Sequence, residues 1–185
     1  MPRREPLHTG EAYHVYNRGA NRGAIFFGED NYLFFLQRLR EKVASSATVL
    51  AYCLMPNHYH LLLRITSDLF SKDMQAFGTS YSKAINAQED RSGSLFQGRF
   101  QTRHVPTSED CLNLSRYIHR NPVALVRSLR DWTFSSYPDY LGLRDGTLPD
   151  KAAILGEFGG VEAYERFVEN SQDNALLDGL TFDET

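Results

Sequence analysis

Cysteine is scarce in this chain, long apolar runs are missing, and basic charge is not in excess. Each shortage removes a class of protein. Cysteine occurs twice, at Cys53 and Cys111, each among apolar neighbours. Two such residues make neither a disulfide framework nor a CxxC zinc motif, which points to a reducing cytosol. The opening MPRREPLHTG has no apolar stretch of the kind a secretory leader carries. No segment reaches the ~18 consecutive apolar residues of a membrane helix. The expectation is a soluble, cytoplasmic protein with no membrane partner. Net charge is −3, so the chain as a whole does not announce nucleic acid. There is no internal repeat.

That net charge hides an asymmetry. From Arg91 to Arg130 basic residues outnumber acidic ones, and the tail after Asp145 is acidic. A basic centre in a neutral chain suits a local nucleic-acid surface. The 185 residues, 42% hydrophobic, are enough for one domain of ordinary size with a full core.

Periodicity orders the elements. EAYHVYNRG reads as a strand ending at Gly19, and ANRGAIFFGED as a loop with an apolar plug at Ile25 to Phe27. A helix follows from Asp30 as N-cap, with a stripe at Leu33, Leu36, Leu39 and Val43. TVLAYCLM is a strand that ends at Pro56. A second helix carries Leu69, Met74, Phe77, Tyr81 and Ile85, and LFQGRFQTRHV is an interrupted strand. A helix begins at Ser108, with Glu109 and Asp110 in its first turn, and ends near Asn121 because Pro122 follows. A further helix is expected over Val161 to Glu169, before a disordered acidic end. The order β-α-β-β-α-β-α predicts an α/β (α+β) fold of the ferredoxin-like, split βαβ kind. Its sheet is mainly antiparallel, with helices on one face, the other face open for a site, and an added helix after the last strand. The division expected is a domain over 1–145 and a C-terminal extension over 146–185.

The segment PNHYHLLLR carries the chemistry. On a strand, side chains alternate, so His58, His60, Leu62 and Arg64 share one face and Tyr59, Leu61, Leu63 and Ile65 the other. Two imidazoles on one face can hold one divalent metal, or can be a half-buried, hydrogen-bonded pair.

Three blocks in order, AYCLMPNHYHLLLR, SGSLFQGRFQTRHV and SRYIHRNPVALV, resemble the REP-associated tyrosine transposases. These are single-tyrosine transposases of the HUH superfamily. The resemblance covers roughly Glu11 to Tyr140. It implies that His58 and His60 bind Mg²⁺ or Mn²⁺ and that Tyr117 attacks a phosphodiester of single-stranded DNA. It implies too that Asn121, one turn later, assists at the metal. The substrate implied is a hairpin, and the protein a monomer or a homodimer.

The residues themselves are compatible with this. Tyr117 and Asn121 are i and i+4 on one helix and share a face. A phenol of pKa ~10 is a poor nucleophile and needs a polarised phosphate. Tyr81 is the rival, since it too lies on a helix with Asn86 nearby, but it falls on the apolar stripe. Asn121 before Pro122 also suits a helix C-terminal cap. His14 reaches the site if its strand neighbours that of His58, and His119 is expected at the surface or on DNA. Arg99 and Arg103 are assigned to DNA, Phe96 and Phe100 to the core. Arg18 and Arg22 flank glycines that let a backbone approach closely, and a plain turn is an equal reading. Arg116, Arg120 and Arg127 can line the groove beside the nucleophile helix, and Trp132 is expected to pack. The alternative in another class is a domesticated single-stranded nucleic-acid-binding module. An RNA-recognition domain would carry an aromatic strand where this chain has HYHLLLR.

Overall fold

Alternation in AYHVYNR sends Tyr13 and Val15 to one side of a strand and His14 and Tyr16 to the other. The computed structural model of the chain describes residues 6–170 and builds its sheet around this strand. β1 (Ala12–Arg18) lies between β3 (His58–Ile65) and β4 (Gln101–Val105), and β2 (Ala47–Met55) flanks β3. The order is β2-β3-β1-β4 and all three pairings are antiparallel. With α1 (Glu29–Val43) and α2 (Phe70–Gln88) this is the ferredoxin-like arrangement that the element order predicts.

Two cores form, one on each face. Tyr13, Val15, Tyr59, Leu61, Leu63 and Ile65 meet Phe35, Phe77 and Tyr81 of the paired helices α1 and α2. Each fully buried ring such as Phe35 contributes about 2 kcal/mol of transfer free energy. A register shift between Val49 and Ala51 turns Leu50 and Ala51 toward the second core.

The second face is not open. α3 (Ser108–Arg120) packs on β2 and β3, and α4 (Tyr137–Tyr140), α5 (Ala152–Leu155) and α6 (Val161–Glu169) close around it. Leu62 of the sheet meets Leu114 and Ile118 of α3, and Tyr137, Tyr140, Ile154, Tyr164 and Val168 complete the cluster. α4 and α5, of four residues each, are too short to signal by periodicity that they would cover a sheet. The acidic end expected to be disordered lies outside the described residues.

Local readings shift in instructive ways. Gly28, not Asp30, is the N-cap of α1, and Asn31 Oδ1 accepts from Phe27 N at 2.9 Å. The buried stripe of α1 is Tyr32, Phe35, Leu39 and Val43, while Leu33 is exposed. Two aromatics pull the helix round because they bury more area than the leucines. Leu69 likewise stays outside and Phe70 begins the buried stripe of α2. Residues 95–100 are loop apart from a bridge of Gly19 to Phe96, so the last strand is short.

Candidate functional site

The face of the sheet that carries the histidines is set by cross-strand register. Tyr16 pairs with His60, Arg18 with His58, and His14 with both Leu62 and Arg103. Directly paired residues share a face. His14, Tyr16, Arg18, His58, His60 and Arg103 therefore stand together on the side covered by α3.

His58 and His60 lie with ring centroids 5.0 Å apart and ring planes at 82°. Asn57 orients the first of them: its Nδ2 donates to Arg22 O at 3.2 Å and its Oδ1 faces His58 Nδ1 at 2.7 Å. An amide oxygen accepts, so Nδ1 of His58 carries the proton and Nε2 of the neutral ring a lone pair. That Nε2 lies 3.2 Å from Asn121 Oδ1. Two acceptors face each other there. The contact is reconciled by a protonated imidazole, by a reversed amide, or by a cation that takes both lone pairs. Neighbouring ligands of an octahedral ion bound at about 2.1 Å also stand about 3 Å apart. The donor set thus fits a divalent metal. Among the described residues no group of three or more His, Cys, Asp and Glu is arranged to hold a metal ion, so the set rests on two imidazoles and an amide.

His60 is buried, and its pKa lies well below the ordinary histidine value. Burial is the largest cause, and the proximity of two further ionisable rings, His14 and His58, pushes the same way. A neutral imidazole is the form that ligates a metal. His14 is fully buried and its Nε2 lies 2.9 Å from His60 Nδ1. Its place in the site follows from the adjacency of β1 and β3, a matter of topology.

α3 brings in Tyr117 and Asn121. Thr107 caps the helix by accepting from Asp110 N at 3.0 Å, and Glu109 and Asp110 sit favourably in its first turn. Leu114 and Ile118 bury one side against the sheet, which leaves Tyr117 at its margin, partly buried. The Tyr117 ring stands edge-on to His60 at 5.5 Å and to His14 at 6.3 Å. Asn121 is the C-cap, but with φ −48° it keeps helical backbone, so it is not a left-handed cap. The chain then runs into a tighter turn over Asn121–Ala124, started by Pro122.

The rivals separate. Tyr81 is fully buried on the opposite face and donates to Ile25 O at 2.8 Å, and burial raises its pKa far above the usual value. Tyr16 lies closer: its ring is 4.7 Å from His14 and 6.3 Å from His60. Period-two alternation placed Tyr16 on the same face as His14, and that signal was in the sequence. His119 is neither at the surface nor placed for DNA. It is fully buried, with Nε2 2.7 Å from Ser136 Oγ and Nδ1 2.7 Å from Tyr164 OH. Burial lowers its pKa to about 3.

The basic residues divide. Arg18 pairs by its guanidinium with Gln97, and Arg103 stands beside His14 on the site face. Arg99 is exposed and lines an open cavity of about 620 Å³ on the other face, with Lys83, Thr79 and Asn86. Phe96 and Phe100 are buried in the core, as expected. Arg22 is exposed in a left-handed conformation, φ 59°. The nearby glycine serves the turn itself: a Cβ on Gly19 would lie 1.9 Å from Gly23 O. Arg116 stacks on Phe167 at 4.5 Å, and Arg120 donates to the carbonyls of Val168 and Glu169 at 2.8 and 3.2 Å. Both are thereby engaged with α6. Arg127 is exposed. Trp132 packs between the cores and donates to Leu54 O at 3.1 Å.

Residues 9–121 match the family model described as "Transposase IS200 like". Among solved structures the chain is similar to a REP-associated tyrosine transposase bound to a REP hairpin, at 17% identity and a TM-score of 0.63. The match covers 81% of this chain and 96% of that one, and it shows a shared fold. No curated protein matches the chain. Among the described residues no helix is long and apolar enough to cross a membrane.

Proposed function

The chain belongs to the IS200-like transposase family, and from that membership we propose that it cuts and rejoins single-stranded DNA with Tyr117 as nucleophile. The observation that carries the reading is the meeting of Tyr117 and Asn121 with His58 and His60 on one face of the sheet. The four come from two elements that are distant in sequence, and a purely structural pair of histidines does not require the other two.

His58 Nε2, His60 and Asn121 Oδ1 would hold Mg²⁺ or Mn²⁺, with nitrogen ligands favouring Mn²⁺. A bound divalent ion supplies Lewis-acid polarisation of a phosphate oxygen. Tyr117 supplies the nucleophile, and its partial burial between α3 and the histidines limits the rotamers it samples. The phenol oxygen attacks phosphorus and its proton passes to solvent. The bond from phosphorus to the 3′ oxygen breaks, and that oxygen leaves with the electron pair and takes up a proton. The 5′ end stays on Tyr117 as a phosphotyrosine ester. Attack by another 3′ hydroxyl reverses the step, so rejoining needs no nucleotide triphosphate.

We assign the substrate as single-stranded DNA next to a hairpin, by analogy with the structural neighbour. Arg18, Arg22 and Arg103 lie at or near the site face, and Arg99 is exposed on the far face, positions from which guanidinium groups suit a phosphate backbone. Arg116 and Arg120 brace α6, and any contact of theirs with DNA is secondary to that. The test is incubation of the protein with Mn²⁺ and a labelled single-stranded hairpin, followed by a denaturing gel. A covalent adduct supports the transferase. Binding without an adduct identifies a nucleic-acid-binding module instead.

A further inference from the structure

The two histidines of β3 are held in the same way by different partners. Asn57 takes Nδ1 of His58. His14 takes Nδ1 of His60, ring nitrogen to ring nitrogen, at 2.9 Å. Both rings of that second pair are buried, and they stack at 5.1 Å with planes 23° apart. His14 itself is confined by Tyr16 at 4.7 Å and by the edge of Tyr117 at 6.3 Å.

Between two neutral imidazoles one nitrogen donates and the other accepts. If His14 donated from Nε2, Nδ1 of His60 would accept, and the proton of neutral His60 would sit on Nε2. That nitrogen could not then ligate. If His60 donates from Nδ1, its Nε2 carries the lone pair, and His14 is the tautomer with its proton on Nδ1. Ligating histidines commonly give their second N–H to an acceptor that sets tautomer and ring angle. With Nδ1 committed to His14, the ligating nitrogen of His60 is Nε2, the same nitrogen that His58 turns toward Asn121.

We propose that His14 is a positioning residue: it accepts the Nδ1–H of His60 and so presents Nε2 of His60 for metal binding. This rests on the metal reading given above, yet part of it can be tested without metal. His14 is not itself a ligand and acts on the metal through His60.

The experiment uses the full chain. Nitrogen-15 NMR of the metal-free protein reads the tautomer of His60. Titration with MnCl₂, followed by the EPR signal of free Mn²⁺, reads affinity. The expected result is His60 protonated at Nδ1 in the parent. His14→Phe keeps a ring but offers no acceptor, so the tautomer should change and Mn²⁺ affinity fall by about 10- to 100-fold. His14→Gln, whose amide oxygen can accept, should recover most of that loss. Hairpin affinity should change less than threefold in both. His60 protonated at Nε2 in the parent overturns the proposal, as does a His14→Phe protein with unaltered tautomer and Mn²⁺ affinity. Should His14→Phe fail to fold, the parent spectrum and His14→Gln decide. A parent that shows the Nδ1–H tautomer but binds no Mn²⁺ upholds the orientation and sinks the metal reading instead.

Discussion

Asn121 Oδ1 lies 3.2 Å from Nε2 of His58, so the end of α3 meets the start of β3 across 63 residues of sequence. The contact joins the helix that carries Tyr117 to the strand that carries both histidines.

Tyr117→Phe should fold normally, bind single-stranded DNA and form no covalent adduct. Phe preserves the ring packing on His60, so the loss reports the hydroxyl, and it should be orders of magnitude. Tyr81→Phe loses a buried hydrogen bond worth about 1 kcal/mol and should stay active. Tyr16→Phe is the sharper comparison, because Tyr16 also faces His60. An adduct that survives in Tyr117→Phe and vanishes in Tyr16→Phe would move the nucleophile to β1.

His58→Ala and His60→Ala should each abolish cleavage while leaving hairpin binding nearly intact. Binding rests on many phosphate contacts, and one lost ligand changes it little. Filter binding and adduct formation, measured on the same preparations, separate the two. A parallel loss of both would mark the histidines as structural.

Arg99→Ala and Arg103→Ala should weaken binding uniformly across sequences and each lower the slope of log affinity against log salt by about one. Arg120→Ala should act differently. It removes donors to the carbonyls at the end of α6, so a fall in thermal midpoint is expected with little change in that slope. An unchanged midpoint with a reduced slope would return Arg120 to the DNA surface.

Acid should destabilise the fold partly through His119. Its folded pKa is about 3, below the ordinary 6.5, so the unfolded chain binds the extra proton between those values. The contribution is complete above pH 6.5 and shrinks as pH falls toward 3. At pH 5 the deficit is about 2 kcal/mol. His119→Gln lacks that titration, so its stability should fall less steeply over pH 6.5 to 4 than that of the parent in urea melts. Equal slopes would contradict the burial of a neutral imidazole.

Much of this was legible in the chain. Alternation alone put His58 and His60 on one face and Tyr59, Leu61, Leu63 and Ile65 on the other. The i, i+4 spacing put Tyr117 beside Asn121, and Glu109 and Asp110 in an acidic first turn announce the start of α3, whereas its Thr107 cap emerged only in the structure. These are local matters, decided by backbone period and by neighbours a turn away. Other features became visible in the tertiary structure. The phase of α1 went to Tyr32 and Phe35 because the sheet beneath rewards the larger rings. Arg116 and Arg120 were drawn to α6, and Gly19 to its own turn, by partners that no spacing specifies. His14 reached His60 because β1 inserted itself between β3 and β4. Strand order is settled by how two helices and a sheet bury their apolar faces together, and no single segment carries that information.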